Sequence, residues 1–256
     1  GDWKNTGGGD GFWVQPDPEN SDIAYSEYQG GHAFRVNRNT NEYADIQPQA
    51  KPGEPKLRFN WNTPIVLSSK NPSVIYMAAQ YVYRTKDKGI SWEKISPDLT
   101  SNDPNKQKQE ESGGITTDNS SAENHCTIFT ICDSPFDENL IFAGTDDGNL
   151  QMTQDGGKSW SKINSTLKGI PDKVWVSSIH AGQFDRNTVY ATFDNHMYGD
   201  MNTYAAMSND LGKSWRVLNT KELPGAYAHI IREDPVNKNL LYLGTEMGLF
   251  ISIDGG

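Results

Sequence analysis

Eight residues, 85-TKDKGISW-92, return twice in this chain, as 153-TQDGGKSW-160 and 208-SNDLGKSW-215, and a shortened copy, 252-SIDGG-256, follows. The shared pattern is Ser/Thr-x-Asp-x-Gly-x-Ser-Trp. A repeat of this kind constrains the architecture before any local propensity does, because each copy marks one structural unit stacked on the next.

A second repeat lies upstream of each box. A turn rich in Pro, Asp and Asn leads into a short apolar strand, in PDPENSDIAY, KNPSVIYMAA, SPFDENLIFAGT, QFDRNTVYATF and EDPVNKNLLYLGT. One aromatic marks each copy: Tyr25, Tyr76, Phe142, Tyr190 and Tyr242, at intervals of 51, 66, 48 and 52 residues. Apolar runs before each turn, after each aromatic and after each box Trp bring the count to four short strands per unit. No segment sustains a helical period. Four-stranded units at this spacing predict an all-β chain, a β-propeller with five four-stranded blades that form part of a larger propeller. The blades are expected near 1–45, 58–98, 124–166, 172–220 and 226–256, the first without a box.

The box reads as a folding element. An Asp in a turn accepts hydrogen bonds from nearby backbone N–H groups. Gly89, Gly157 and Gly212 allow positive φ, and Trp92, Trp160 and Trp215 are large apolar groups suited to packing between sheets. A residue type repeated in every box serves something every blade shares. Asp87, Asp155, Asp210 and Asp254 are therefore expected to be structural.

The formal net charge of −10 argues against non-specific binding to nucleic acid or to an anionic membrane surface. No apolar run approaches the ~18 residues of a membrane helix. The chain starts Gly1-Asp2-Trp3 and stops inside a box, so it reads as an internal piece of a longer protein whose remaining blades are partners of these. Cys126 and Cys132, taken as members of one strand, stand about 20 Å apart and are not expected to pair. There is no Gly-rich phosphate loop, Cys/His metal cluster or Gly-x-Ser-x-Gly elbow, and neither cofactor nor metal is expected.

These motifs resemble the Asp-box, or bacterial neuraminidase, repeat of sialidases, sortilin-type receptor domains and xyloglucan-cleaving glycoside hydrolases. The chain is more similar to a group of large secreted bacterial propeller proteins, sortilin-like or glycosyl-hydrolase-like. The stretches that carry this include 7-GGGDGF-12, 28-YQGGHAFRVNRNTNE-42, 81-YVYRTKDKGISWEKISPDLT-100, 144-GTDDGNLQMTQDGGKSW-160 and 191-ATFDNHMYGD-200. The resemblance implies an extracellular or cell-surface location and a polysaccharide or protein partner, and it leaves the activity open.

With strands A to D in each blade, A–B turns and C–D boxes share one face, and B–C turns and D–A connections share the other. In enzymes of this fold the ligand site lies on the second face. Two stretches there stand out: the FDNHMYGDMNTY turn and the long connection after Thr100, whose SNDPNKQKQEESGG segment reads as mobile. Asp10, Asp146, Asp147, Asp194 and Asp200 are the candidate catalytic carboxylates. His32, Trp61, His125, Trp175, His196, Tyr198, His229 and Glu246 are candidate ligand-binding residues, with Glu27 and Asn60 beside them. Rings that stack on sugar faces and polar groups that bind hydroxyls suit a carbohydrate site. Asp146-Asp147-Gly148 and Glu246-Met247-Gly248 also read as ordinary tight turns. A sialidase needs an arginine cluster, whereas this chain has seven arginines, with Arg84 and Arg232 towards the opposite face. A glycoside hydrolase needs two carboxyls about 5–5.5 Å or 6.5–9.5 Å apart, and a binding or scaffold module needs none. The binding module is the preferred expectation, the glycosidase its alternative.

Overall fold

The computed structural model describes residues 5–108, 123–221 and 223–256, in two compact units, Gly1–Ile128 and Phe129–Gly256. The first unit holds two four-stranded antiparallel sheets. One runs β1 (Val14–Pro16), β2 (Ile23–Tyr28), β3 (His32–Asn37) and β4 (Glu42–Asp45); the other runs β5 (Ile65–Leu67), β6 (Ile75–Ala78), β7 (Val82–Thr85) and β8 (Glu93–Lys94). The second unit holds β9 (Ile128–Asp133), which opens at the boundary, with β10 (Ile141–Thr145), β11 (Leu150–Thr153) and β12 (Ser161–Lys162). Next come β13 (Trp175–Ala181), β14 (Val189–Asn195), β15 (Asp200–Ser208) and β16 (Arg216–Val217), then β17 (Ala228–Glu233), β18 (Leu241–Thr245) and β19 (Gly248–Ser252). Every sheet pairs its strands in chain order. The fold is a β-propeller whose first four sheets have four strands and whose fifth has three among the described residues. Two 3-10 turns, Gln29–Gly31 and His196–Tyr198, are the helical segments of the described residues.

The aromatic markers sit inside the sheets. Tyr25, Tyr76, Phe142 and Tyr190 are fully or almost fully buried, and each such side chain contributes about 1.5–3 kcal/mol of transfer free energy. The hydroxyls of Tyr25 and Tyr190 are satisfied too. Tyr25 Oη donates to Asp17 Oδ2 at 2.9 Å, while Asp17 Oδ1 accepts the N–H groups of Glu19 and Asn20. Tyr242, Asp234, Val236 and Asn237 repeat the arrangement. The Asp of the A–B turn thus ties its turn to the strand that follows it. In the second unit the edge N–H groups of Ile179 and Ile231 donate to hydroxyls of the preceding sheet, Thr130 Oγ1 and Ser178 Oγ. That arrangement keeps an otherwise open strand edge satisfied.

The box has one geometry throughout. In the first, Thr85 Oγ1 donates to Asp87 Oδ1 at 2.6 Å and accepts the Gly89 N–H at 3.0 Å. Asp87 also takes the Ser91 N–H and Ser91 Oγ–H. Asp155 makes the same contacts with Thr153 and Ser159, and Asp210 with Ser208 and Ser214. In the shortened copy, Ser252 donates to Asp254 and accepts the Gly256 N–H. The Trp closes the motif: Trp92 Nε1 donates to Ile46 O and Trp215 Nε1 to Ile163 O, both at 2.7 Å.

The seryl hydroxyls beside Asp87 (Ser91) and Asp210 (Ser214), with the further hydrogen bonds each carboxylate receives, hold both down to about 2. A carboxyl whose folded value is depressed stabilises the fold above its unfolded value, and that gain disappears as pH falls towards the folded one. Asp210→Ala is therefore expected to melt several degrees below the parent at pH 7, with the gap narrowing from pH 4 to pH 2. Thermal melts across that range measure it, and a gap of constant size contradicts the assignment.

Two sequence expectations need correction. Cys126 and Cys132 do not share a strand, because β9 begins at Ile128 and Cys126 has φ 60° in the loop before it; both are free thiols. The FDNHMYGDMNTY stretch is an extended hairpin rather than a loop. Here β14 and β15 run to seven and nine residues and turn tightly at 196–199, because Asp200 braces the ends. Its carboxylate accepts Asn195 Nδ2 and Tyr204 Oη on one oxygen and the Asn202 N–H on the other. Of the 101–114 segment, residues 101–108 form a turn in which Gln107 Nε2 donates to Asn102 Oδ1; residues 109–114 lie outside the described residues.

Candidate functional site

In the first unit the turn between β2 and β3 and the chain after β4 enclose an open cavity of about 560 Å³. Tyr28, His32 and Phe59 are the rings of its lining. Tyr28 and His32 face each other across the hairpin with centroids 4.8 Å apart and planes 18° off parallel, and Phe34, which does not line the cavity, stacks on Tyr28 at 5.6 Å. Gln29, Gln47, Gln49, Lys56 and Asn124 supply the polar lining. Gln47 is fixed by donating Nε2 to Gly30 O at 3.0 Å. Gln29 Oε1 accepts the Asp10 N–H at 2.9 Å, which brings the GGGDG loop to the rim. Gly9 makes that approach possible: at φ +60°, a Cβ there would meet Gln29 Oε1 at 2.5 Å and the Tyr28 ring at 2.9 Å. His32 thus lines the cavity, and Asp10 is tied by its backbone to Gln29 of that lining.

Glu27 lies under the same turn and is 2% exposed. Its Oε1 accepts the Gly31 N–H at 3.2 Å and the Thr63 N–H at 3.3 Å, and its Oε2 is buried without a hydrogen-bond partner. Burial raises its carboxyl to about 8 against the pull of those backbone donors. Asn60 is buried and spans from Thr127 Oγ1 to the Asn62 N–H. Trp61 offers its carbonyl to Gly30 N–H. His125 is buried with Nδ1 3.5 Å from Cys126 Sγ.

In the second unit a ring cluster joins the β14–β15 hairpin to the start of β17. His196 stacks on Tyr227 at 4.1 Å and 17°, and His229 meets Tyr227 edge-on at 4.8 Å. Asp194 Oδ1 accepts the His196 backbone N–H at 2.9 Å and lies 2.6 Å from His196 Nδ1. Held against the carboxylate, Nδ1 is the ring nitrogen placed to donate. Burial, then the hydrogen bond to Glu246, raises the Tyr227 phenol. Trp175 stands opposite Asp194 in the strand register and packs on Phe129 at 5.3 Å. Tyr198 is 59% exposed at the hairpin tip. Asp146 and Asp147 are buried in the β10–β11 turn, where Thr145 Oγ1 donates to Asp147 Oδ1. Among the described residues, no three His, Cys, Asp or Glu converge as a metal site.

Sequence reading missed Tyr28, Gln29, Gln47, Lys56 and Tyr227. Tyr227 was findable, because it follows Trp175 by 52 residues, the interval that separates Tyr190 from Tyr242. The cavity residues come from four separate stretches and share no periodic signal.

No family model matches the chain, and no curated protein matches it by sequence. Solved structures match by fold. The GH74 xyloglucanase from Xanthomonas campestris superposes with TM-score 0.62 at 17% identity, over 95% of this chain and 37% of that one. A GH74 enzyme from Niastella koreensis gives 0.61 at 16%, over 96% and 37%. The extracellular domain of a putative one-component system from B. thetaiotaomicron gives 0.56 at 15%, over 96% and 26%. This chain therefore spans well under half the length of each. Among the described residues, no helix is long and apolar enough to cross a membrane.

Proposed function

We propose that this propeller is an extracellular polysaccharide-binding module that holds its ligand in the ring-walled cavity of the first unit and does not cleave it. The Tyr28–His32 ring pair in the cavity lining carries this reading. Near-parallel rings beside amide groups match a sugar, which offers apolar C–H faces and hydroxyl edges at once. The fold likeness to GH74 enzymes agrees with a carbohydrate ligand.

The glycosidase alternative is less favoured by the carboxyls themselves. Glu27 keeps its proton at neutral pH as an acid catalyst would, but it is almost fully buried, and its Oε1 is committed to two backbone N–H groups. Asp147 and Asp200 hold their turns, and Asp194 holds His196. Around the cavity that leaves Asp10 as the one solvent-exposed candidate, where the chemistry needs two.

The test is a glycan array and calorimetry on the complete protein, with reducing-sugar release assayed in parallel. Tyr28→Ala is expected to weaken binding by roughly tenfold, the scale of one stacked ring. A blank array ends the reading. Sugar release that disappears in Asp10→Asn replaces it with the hydrolase.

A further inference from the structure

The charges around this cavity are unevenly committed. Lys56 is exposed and lines the cavity beside the buried Leu57 and Phe59, whereas Arg58 does not line it. Arg58 is taken: it pairs with Asp98 at 2.8 Å and donates to Cys126 O and Thr100 Oγ1. Glu54, two residues before Lys56, is taken by Lys94 at 2.7 Å. Lys56 makes no ion pair among the described residues, and it is the single charged side chain that lines the cavity.

A neutral sugar satisfies the amides and the rings but leaves the Lys56 ammonium to water. A sugar with a ring carboxylate pairs it while stacking on Tyr28 and His32. We infer that the ligand is an acidic polysaccharide built from uronic acid residues, read by Lys56. This rests on the polysaccharide-binding reading above and narrows it to one substrate class. The opposing charges are few. Asp10 at the rim is exposed, so solvent and salt screen it. Glu27 beneath the turn is held neutral up to about 8 by burial. The chain's net charge of −10 slows the approach of any polyanion, so the preference is local, with a pairing strength that salt reduces.

Methyl esterification removes the ligand charge and little else, which makes the test clean. Calorimetry on the complete protein compares a linear oligogalacturonate, its methyl ester and a neutral xyloglucan oligosaccharide. The acid form is expected to bind roughly tenfold more tightly than the ester at low salt, the scale of one charge-assisted hydrogen bond. Lys56→Gln removes that preference, Lys56→Arg keeps it, and 0.5 M sodium chloride shrinks it. Lys56 is exposed, and circular dichroism checks that both variants fold. Equal or weaker binding of the acid form overturns the inference and leaves the polysaccharide reading standing, as does a preference untouched by Lys56→Gln. If no glycan of the full array binds, both fail together.

Discussion

Gly212→Ala is expected to cost roughly 2–4 kcal/mol, from about 1 for the left-handed backbone and the rest for overpacking, although it adds a single methyl group. Gly212 has φ +79°, and a Cβ built on it would lie 2.5 Å from Ile163 Cβ and 2.9 Å from Ile163 O. Gly89 stands in the same relation to Ile46, at 2.7 Å. The residue before each of these glycines also has positive φ, yet it is Lys88 in one box and Leu211 in another, at 57° and 58°. Those two sit in the ordinary left-handed well, whereas the glycines at +79° and +90° lie beyond it, so backbone conformation and the closeness of the preceding sheet both select glycine at the second position. Gly199→Ala supplies the control, since Gly199 has φ +77° and nothing lies within 4 Å of the place its Cβ would take. It is expected to cost about 1 kcal/mol, the strain alone. Denaturant titration of both variants measures the difference, and equal losses contradict the packing account.

The boxes were legible in the sequence because their chemistry is local. Each hydrogen bond from Thr85 to Asp87, or from Ser91 back to Asp87, spans four residues or fewer. The same turn recurs wherever the same letters do. What the letters hide is the partner across sheets. Nothing in GKSW identifies Ile163 as the acceptor of the Trp215 indole 52 residues away. The cavity was harder still. His32 and Asp10 were flagged by residue type, but the groups between them, Gln29 and Tyr28, look like ordinary hairpin residues until Gly9 is folded against them. Asp146 and Asp147 show the converse. Two adjacent acids attract a catalytic reading, while their burial in a hairpin turn suits the ordinary turn reading made beside it. Residue type flagged where chemistry was available, and long-range packing decided which of those groups met.

Glu27→Gln is expected to flatten the pH dependence of stability between pH 5 and 8. In the unfolded chain a Glu titrates near 4.3; in the fold Glu27 holds its proton to about 8, because burial outweighs its backbone donors. Between those values the folded state binds more protons than the unfolded one, so stability falls as pH rises. One proton corresponds to about 1.4 kcal/mol per pH unit. The contribution is complete below pH 4 and lost above pH 8. The box aspartates titrate below this window and leave it undisturbed. His180 does not, since burial lowers its imidazole to about 4 and thereby makes stability rise with pH from 4 to 6.5, the opposite sign. The informative quantity is therefore the difference between variant and parent, from urea titrations at pH 5, 6, 7 and 8. That difference should grow steadily in favour of Gln across the series. Parallel curves sink the assignment, because a carboxyl already ionised at pH 5 gives none of this slope. The Gly31 N–H that Glu27 holds belongs to the turn carrying Tyr28 and His32. A carboxylate accepts that N–H more strongly than a carboxyl does, so the same ionisation is expected to lower the stability of the fold while the turn keeps its anchor.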